Sequence, residues 1–260
     1  MKLTGKVALV TGASAGIGRA TALALASEGA DIALNYLGYD DSAKSAAEQI
    51  RGMGRKALLV PADVSDQTAV EKIVEQTVAE LGRIDILVTC AVYCDEEMFW
   101  NADMAGFRRT IDVTMWGAYY TLRAVANQLL KQNQGGSIVI VGSPHAVVAV
   151  PKSMAYNMAK AATDQMARSA AVELLPHRIR VNIVHPGWTD TPGERKYFSE
   201  DVLKTAADIM PWGRLAKPEE IARGITFLTD PDSDYITGST LTIDGGLQLP
   251  WWSKRAQGGF

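Results

Sequence analysis

Apolar residues in this chain fall into short continuous runs separated by stretches in which they recur every three or four positions. Residues 6–11, K-V-A-L-V-T, are a β-branched run that stops at Gly12, which predicts a strand covered on both faces. Directly after it, Ile17, Ala20, Thr21, Ala24 and Leu25 take helical spacing and Gly29 closes the helix. The unit then repeats. Strands are predicted over 31–36, 56–61, 84–90, 137–141, 179–184 and 240–243. Between them the periodicity predicts helices over 42–53, 66–81, 102–132 with a break near Gly117, 154–175, and one opened by K-P-E-E at 217–220. Strands alternating with helices imply one α/β domain over 1–260, a doubly wound parallel sheet of about seven strands with helices on both faces. No linker, repeat or low-complexity segment divides it.

Such a sheet binds its ligand at the carboxyl ends of the strands. There the pattern gathers Gly12, Asp63, Ala91, Ser143 and Pro186 on one edge. Gly12, Gly16 and Gly18 form G-x-x-x-G-x-G between strand and helix, where a missing Cβ lets the backbone approach a pyrophosphate held by helix N–H groups. This is the Rossmann-type arrangement. On the helix from Met154, with Ser153 as its predicted N-cap, Tyr156 and Lys160 lie four residues apart and share a face. An ammonium beside a phenol favours the phenolate, pulling the tyrosine down from about 10 toward a useful general acid and base.

Composition narrows the classes. A formal net charge of −3 over 260 residues lacks the basic surface that nucleic acid or an anionic membrane would require. Cys90 and Cys94 are too few for a disulfide framework, and M-K-L-T-G-K lacks the apolar core of a signal peptide, so a reducing cytoplasm is expected. Three scattered histidines and a C-x-x-x-C spacing give no zinc set, and no metal is predicted.

With these motifs in hand the chain resembles the short-chain dehydrogenase/reductase family along essentially its whole length. Thr11 to Gly18, T-G-A-S-A-G-I-G, is similar to the family's dinucleotide turn, with Gly12, Ser14, Gly16, Ile17 and Gly18 as the implied cofactor contacts. Asp63-Val64 resembles the D-V pair whose carboxylate meets the adenine. Ser143 stands thirteen residues before Tyr156, as the family's serine does, and Y-N-M-A-K matches Y-x-x-x-K. Asn182 with Pro186, Gly187 and Thr189 resembles the segment flanking the nicotinamide. The resemblance implies an NAD(P)-dependent oxidoreductase interconverting a secondary alcohol and a ketone. Tyr156 would move the proton, Ser143 would hold the substrate oxygen, and Lys160 would hold the nicotinamide ribose and keep Tyr156 acidic. Two departures stand out. Thr89-Cys90-Ala91-Val92 replaces N-N-A-G, and Thr114 replaces the asparagine of the family's proton relay. They motivate a rival reading, a nucleotide-binding sensor with little turnover, and a second, the same fold performing isomerisation or elimination.

Cofactor choice turns on Ala15, Tyr36 and Leu37, neither acidic nor basic. Asp40 and Asp41 follow and would repel a 2′-phosphate, which leans the reading to NAD(H) over NADP(H). His145 and Trp188 are candidate substrate contacts beside Ser143 and Tyr156. The stretch 188–212 is long for an α/β connection and reads as a lid. Its aromatics suit an apolar ligand, a stacked sugar, or simple pinning of the lid. Arg168 and Glu173 read as solvated helix charges. Ala161, Ala162, Ala167, Ala170 and Ala171 would let the Tyr156 helix approach another helix. The resemblance implies a homotetramer, and Trp251 and Trp252 also argue for an oligomer.

Overall fold

The strands fall on the short apolar runs in a computed structural model that describes residues 1–250. Trp251 and Trp252 lie outside the described residues. β1 (Val7–Thr11), β2 (Asp31–Tyr36), β3 (Ala57–Pro61), β4 (Ile86–Thr89), β5 (Gly136–Val141), β6 (Ile179–Pro186) and β7 (Thr240–Ile243) form one parallel sheet. Its order is β3-β2-β1-β4-β5-β6-β7, so the direction of winding reverses between β1 and β4. The helices are α1 (Gly16–Ser27), α2 (Asp40–Gly52), α3 (Gln67–Leu81), α4 (Met104–Ile111), α5 (Gly117–Gln132), α6 (Met154–Leu174), α7 (Glu200–Ile209) and α8 (Pro218–Thr229).

Alternate strand residues feed two apolar layers, as a pleated strand requires. Ala8, Val10, Ile86 and Val88 pack under α1, α2 and α8 through Leu25, Ile50, Ile221 and Ile225. Leu9, Leu87, Ile138 and Ile140 pack under α3, α5 and α6 through Ile73, Val125, Leu129 and Leu174. Burying both faces explains why these strands read as continuous apolar runs. β7 is one of the two edges, pairing only with β6 among the described strands, and it is half-exposed.

Several predicted boundaries shift for local reasons. Asp66 caps α3, its carboxylate accepting from Ala69 N at 3.1 Å, and so stands outside the helix it opens. Ser153 occupies the N-cap of α6, yet its hydroxyl makes no capping bond and donates to Pro151 O at 3.4 Å instead. The break before α5 is a π-helical turn, Asp112–Trp116. Gly117 follows it because a Cβ there would stand 2.5 Å from Val64 Cγ2. The 188–212 stretch is not all loop. Ser199 caps a helix, α7, which turns Leu203 and Ala206 inward. Ala167 and Ala171 face the sheet rather than a neighbouring helix, being 1% and 3% exposed. No helix among the described residues is long and apolar enough to cross a membrane.

Candidate active site

The glycine turn is built by close approach. A Cβ on Gly12 would stand 2.9 Å from Ala91 N, and one on Gly18 would stand 2.2 Å from Gly12 O. Thr11 Oγ1 accepts from Cys90 N at 3.0 Å and Ala91 N at 3.1 Å, which ties the ends of β1 and β4 together. Gly16 takes φ +52°, with Thr191 of the lid region 3.1 Å from where its Cβ would be. The first turn of α1 carries no acidic side chain, so the positive end of the helix dipole is open to an anion. Ser14 is buried and its carbonyl accepts from Ser42, while Ile17 packs into the core. This backbone cradle fits the pyrophosphate of a dinucleotide.

Beyond β5 the chain makes a short turn, Pro144–Ala146, capped by Ser143. The Ser143 hydroxyl accepts from His145 N at 3.2 Å. The imidazole of His145 stands edge-on to the Tyr156 ring with centroids 5.0 Å apart. Lys160 reaches under the same ring, its Nζ 5.4 Å from the centroid, and donates to Val141 O at 2.7 Å. The expected influence of lysine on tyrosine is overturned here. Burial lifts the Tyr156 phenol well above its usual range, with Ser143 pulling the other way. Lys160 itself is pulled down to about 8 by burial, with Cys90 and Asp164 opposing. Between about 8 and its ordinary value of 10.5, the unfolded chain keeps a proton the folded chain has lost. Stability contributed by this group therefore rises with pH over that window. Lys160→Met is expected to gain less stability than the parent from pH 8 to pH 10 in urea melts; equal gains would mean the ammonium is solvated.

Other predicted residues fare differently. Thr114 Oγ1 donates to Tyr93 O at 2.7 Å and accepts from Tyr93 N at 3.1 Å. Its only proton is therefore committed to holding the loop after β4, so the side chain anchors that loop rather than donating to a relay. Asp63 accepts from Ser65 and, at 2.7 Å, from Arg109. Burial pushes its carboxyl up, but these donors together hold it below the usual range. Val64 is buried against α5, so it offers a ligand only main chain. Tyr36 is also buried, because the last residue of β2 turns into the fold, and the side chains exposed past it are Leu37, Tyr39, Asp40 and Asp41. Gly187 N donates to Ile243 O at 2.9 Å, and Thr189 Oγ1 donates to Gly187 O at 2.8 Å, which fixes the turn after Pro186. Asn182 is fully buried and bridges β6 to Ile236 and Ser239, so it builds the sheet rather than the site. Burial pushes the Cys90 and Cys94 thiols up to about 12, leaving both protonated and unreactive at neutral pH.

A family model described as Enoyl-(Acyl carrier protein) reductase matches residues 12–248. L-rhamnose 1-dehydrogenase (NAD(P)(+)) of Sphingomonas sp. (strain SKA58) is 37% identical over 248 residues, spanning 95% of this chain and 98% of that protein. The 3-oxoacyl-[acyl-carrier-protein] reductase of Synechocystis sp. is 35% identical over 248 residues, with shares of 95% and 98%. A solved short-chain dehydrogenase/reductase from Serratia marcescens BCRC 10948 superposes with a TM-score of 0.89 at 34% identity, covering 96% of this chain and all of that one. The chain is a short-chain dehydrogenase/reductase. It is accordingly an NAD(P)-dependent oxidoreductase interconverting a secondary alcohol and a ketone.

Three features of this short-chain dehydrogenase/reductase were not anticipated. Asp164, one turn beyond Lys160, accepts from His185 Nε2 with both carboxylate oxygens, at 3.0 and 2.9 Å, deep in the core. Arg168, exposed to solvent as expected, also reaches the same carboxylate at 3.3 Å. A Cβ on Gly142 would stand 2.7 Å from His185 and 2.9 Å from Asp164, so the pair locks α6, β6 and the residue before Ser143 together. The second feature is Glu194, which accepts from the Trp188 indole at 2.7 Å. Its charge bears on Tyr156 and Cys94, and burial lifts its carboxyl, with Trp188 opposing. The third is the anchoring of the 188–212 segment. Tyr197 donates to Cys94 O at 2.8 Å, while Lys196 stacks on Tyr39 at 5.1 Å. The segment thus spans from the loop after β4 to the loop after β2. The spacing of Lys160 and Asp164 was legible; no local signal marked Glu194.

Proposed function

We propose that the substrate is a hydroxyl-rich alcohol, an aldose or cyclic polyol oxidised at a ring carbon, with NAD(H) as the preferred nucleotide. The observation that carries this reading is the carboxylate of Glu194, held by the Trp188 indole at 2.7 Å in the segment that follows Pro186, close enough for its charge to bear on Tyr156. A carboxylate there accepts substrate hydroxyls and an indole covers a sugar face, whereas an acyl chain would desolvate the carboxylate and leave it the Trp188 indole as its one donor. The two rhamnose dehydrogenases among the relatives, from Sphingomonas and Azotobacter vinelandii, agree with it.

In this reading Gly12, Gly16, Gly18, Asp63, Ala91, Pro186, Gly187 and Thr189 hold the nucleotide, which supplies the hydride chemistry when bound. Tyr156, kept protonated by burial, donates its proton to the carbonyl oxygen in reduction and takes one from the alcohol in oxidation. Ser143 donates a hydrogen bond to the same oxygen. Lys160 presents its ammonium to the nicotinamide ribose. Asp40 and Asp41 are exposed in the first turn of α2, where their charge disfavours a 2′-phosphate. Segment 188–212 acts as the lid. The exposed Trp116 at the end of the π-helical turn, Tyr119 on α5, and Met158 and Val172 on α6 support a homo-oligomer, a tetramer by family resemblance, and two free thiols suit a cytoplasmic setting.

Initial rates of aldoses, cyclic polyols and a 3-oxoacyl thioester, each with both nucleotides, test this. A sugar or polyol turned over best with NAD⁺ is expected. Preference for the thioester by 100-fold or more would overturn the reading.

A further inference from the structure

We propose that His145 binds a second substrate hydroxyl: its Nε2 lone pair accepts the O–H on the carbon next to the one oxidised. The inference rests on the hydroxylated-substrate reading and adds the feature of the substrate that is recognised, a vicinal diol or its α-hydroxy ketone.

The argument is one of hydrogen-bond direction. Asn157, the neighbour of Tyr156 on α6, donates through Nδ2 to Val150 O at 2.9 Å. A carbonyl oxygen only accepts, so the amide nitrogen must face Val150 and the amide oxygen must face the other way. That oxygen lies 2.8 Å from His145 Nδ1. It too only accepts, so the proton of a neutral His145 sits on Nδ1. The other ring nitrogen then carries a lone pair. Nε2 has no hydrogen-bond donor among the described residues, and the side chain is only partly buried.

Position makes this lone pair useful. The His145 ring stands edge-on to Tyr156 at 5.0 Å, and its backbone N–H holds the Ser143 hydroxyl at 3.2 Å. One short turn therefore fixes the serine and the imidazole together. Ser143 and Tyr156 carry O–H donors for the reacting oxygen, and His145 adds an acceptor on the same wall. A ketone or alcohol without a neighbouring hydroxyl would leave that acceptor desolvated and unpaired, which costs affinity in the transition state. Burial and the Lys160 ammonium keep the imidazole below the ordinary histidine range, against the pull of Asn157, so the acceptor form persists at neutral pH.

The test compares cis-cyclohexane-1,2-diol with cyclohexanol, using NAD⁺ and the full chain. The parent should prefer the diol in kcat/KM by about tenfold or more. His145→Phe keeps the ring packed on Tyr156 but lacks the acceptor, and should bring the ratio close to one. His145→Gln, whose amide oxygen can accept, should recover part of it. If His145→Phe is poorly folded by its nucleotide titration, Asn157→Leu frees the ring to exchange tautomers and should lower the same ratio. A diol preference that survives in whichever of the two variants binds nucleotide would sink the role of His145 alone. No diol preference in the parent would sink the hydroxylated-substrate reading, and this inference with it.

Discussion

Tyr156→Phe is expected to lower turnover by roughly 10²–10⁴-fold while the nucleotide dissociation constant stays within about twofold. The substitution removes one oxygen and leaves the ring, so its contacts with His145 and Lys160 persist. What disappears is the proton donor. The buried phenol sits well above its free range, so in the parent it holds its proton throughout pH 6 to 9. Single-turnover kinetics with bound NADH separate chemistry from binding: unchanged affinity with a slow chemical step is the expected signature. Retention of more than a tenth of the parent rate would remove Tyr156 from the proposed proton-transfer role. It would point to a water or another side chain as the acid.

Gly18→Ala should be the most damaging conservative change in the nucleotide turn. Its Cβ would lie 2.2 Å from Gly12 O and 2.8 Å from Gly12 C, both backbone atoms that cannot swing aside. The turn must shift, at a cost of about 1–3 kcal/mol, and with it the N–H groups at the start of α1. We expect a lower urea midpoint and at least tenfold weaker binding of NADH, followed by tryptophan fluorescence. Gly52→Ala is the control. It ends α2 with nothing within 4 Å of a Cβ, and should stabilise by up to about 1 kcal/mol. Equal behaviour of the two variants would show that the turn at Gly12 and Gly18 yields to a side chain without loss of binding.

The sheet was legible because each strand is covered on both faces and so reads as an uninterrupted apolar run. β2 and β7 were bounded to the residue. The helices followed from spacing, and the meeting of Ser143, Tyr156 and Lys160 at one edge followed from topology. What escaped depended on contacts distant in sequence. The 2.7 Å bond from Trp188 to Glu194 and the salt bridge from Arg109 to Asp63 leave no periodic trace. α7 did leave one, since Ser199 with Glu200 and Asp201 is an N-terminal signature with Leu203 and Ala206 behind it; the surrounding Pro, Gly and aromatic residues hid it. The phenol's upward shift was missed because helical spacing sets which side chains share a face but not what else each one bonds. Lys160 had a nearer acceptor in Val141 O.

The crowding around Gly142 bears on how such a site can change over generations. A side chain at that position would strike both members of a buried, hydrogen-bonded His–Asp pair, so drift there is closed unless Asp164 and His185 change together. Three neighbouring segments of the reaction floor are thereby inherited as one unit. New substrates must then be won elsewhere, in the stretches 92–98 and 188–198, where most residues are only partly buried or exposed. A lineage can exchange what it recognises without revisiting how it moves a proton, and a laboratory library aimed at a new alcohol should be drawn from those two stretches.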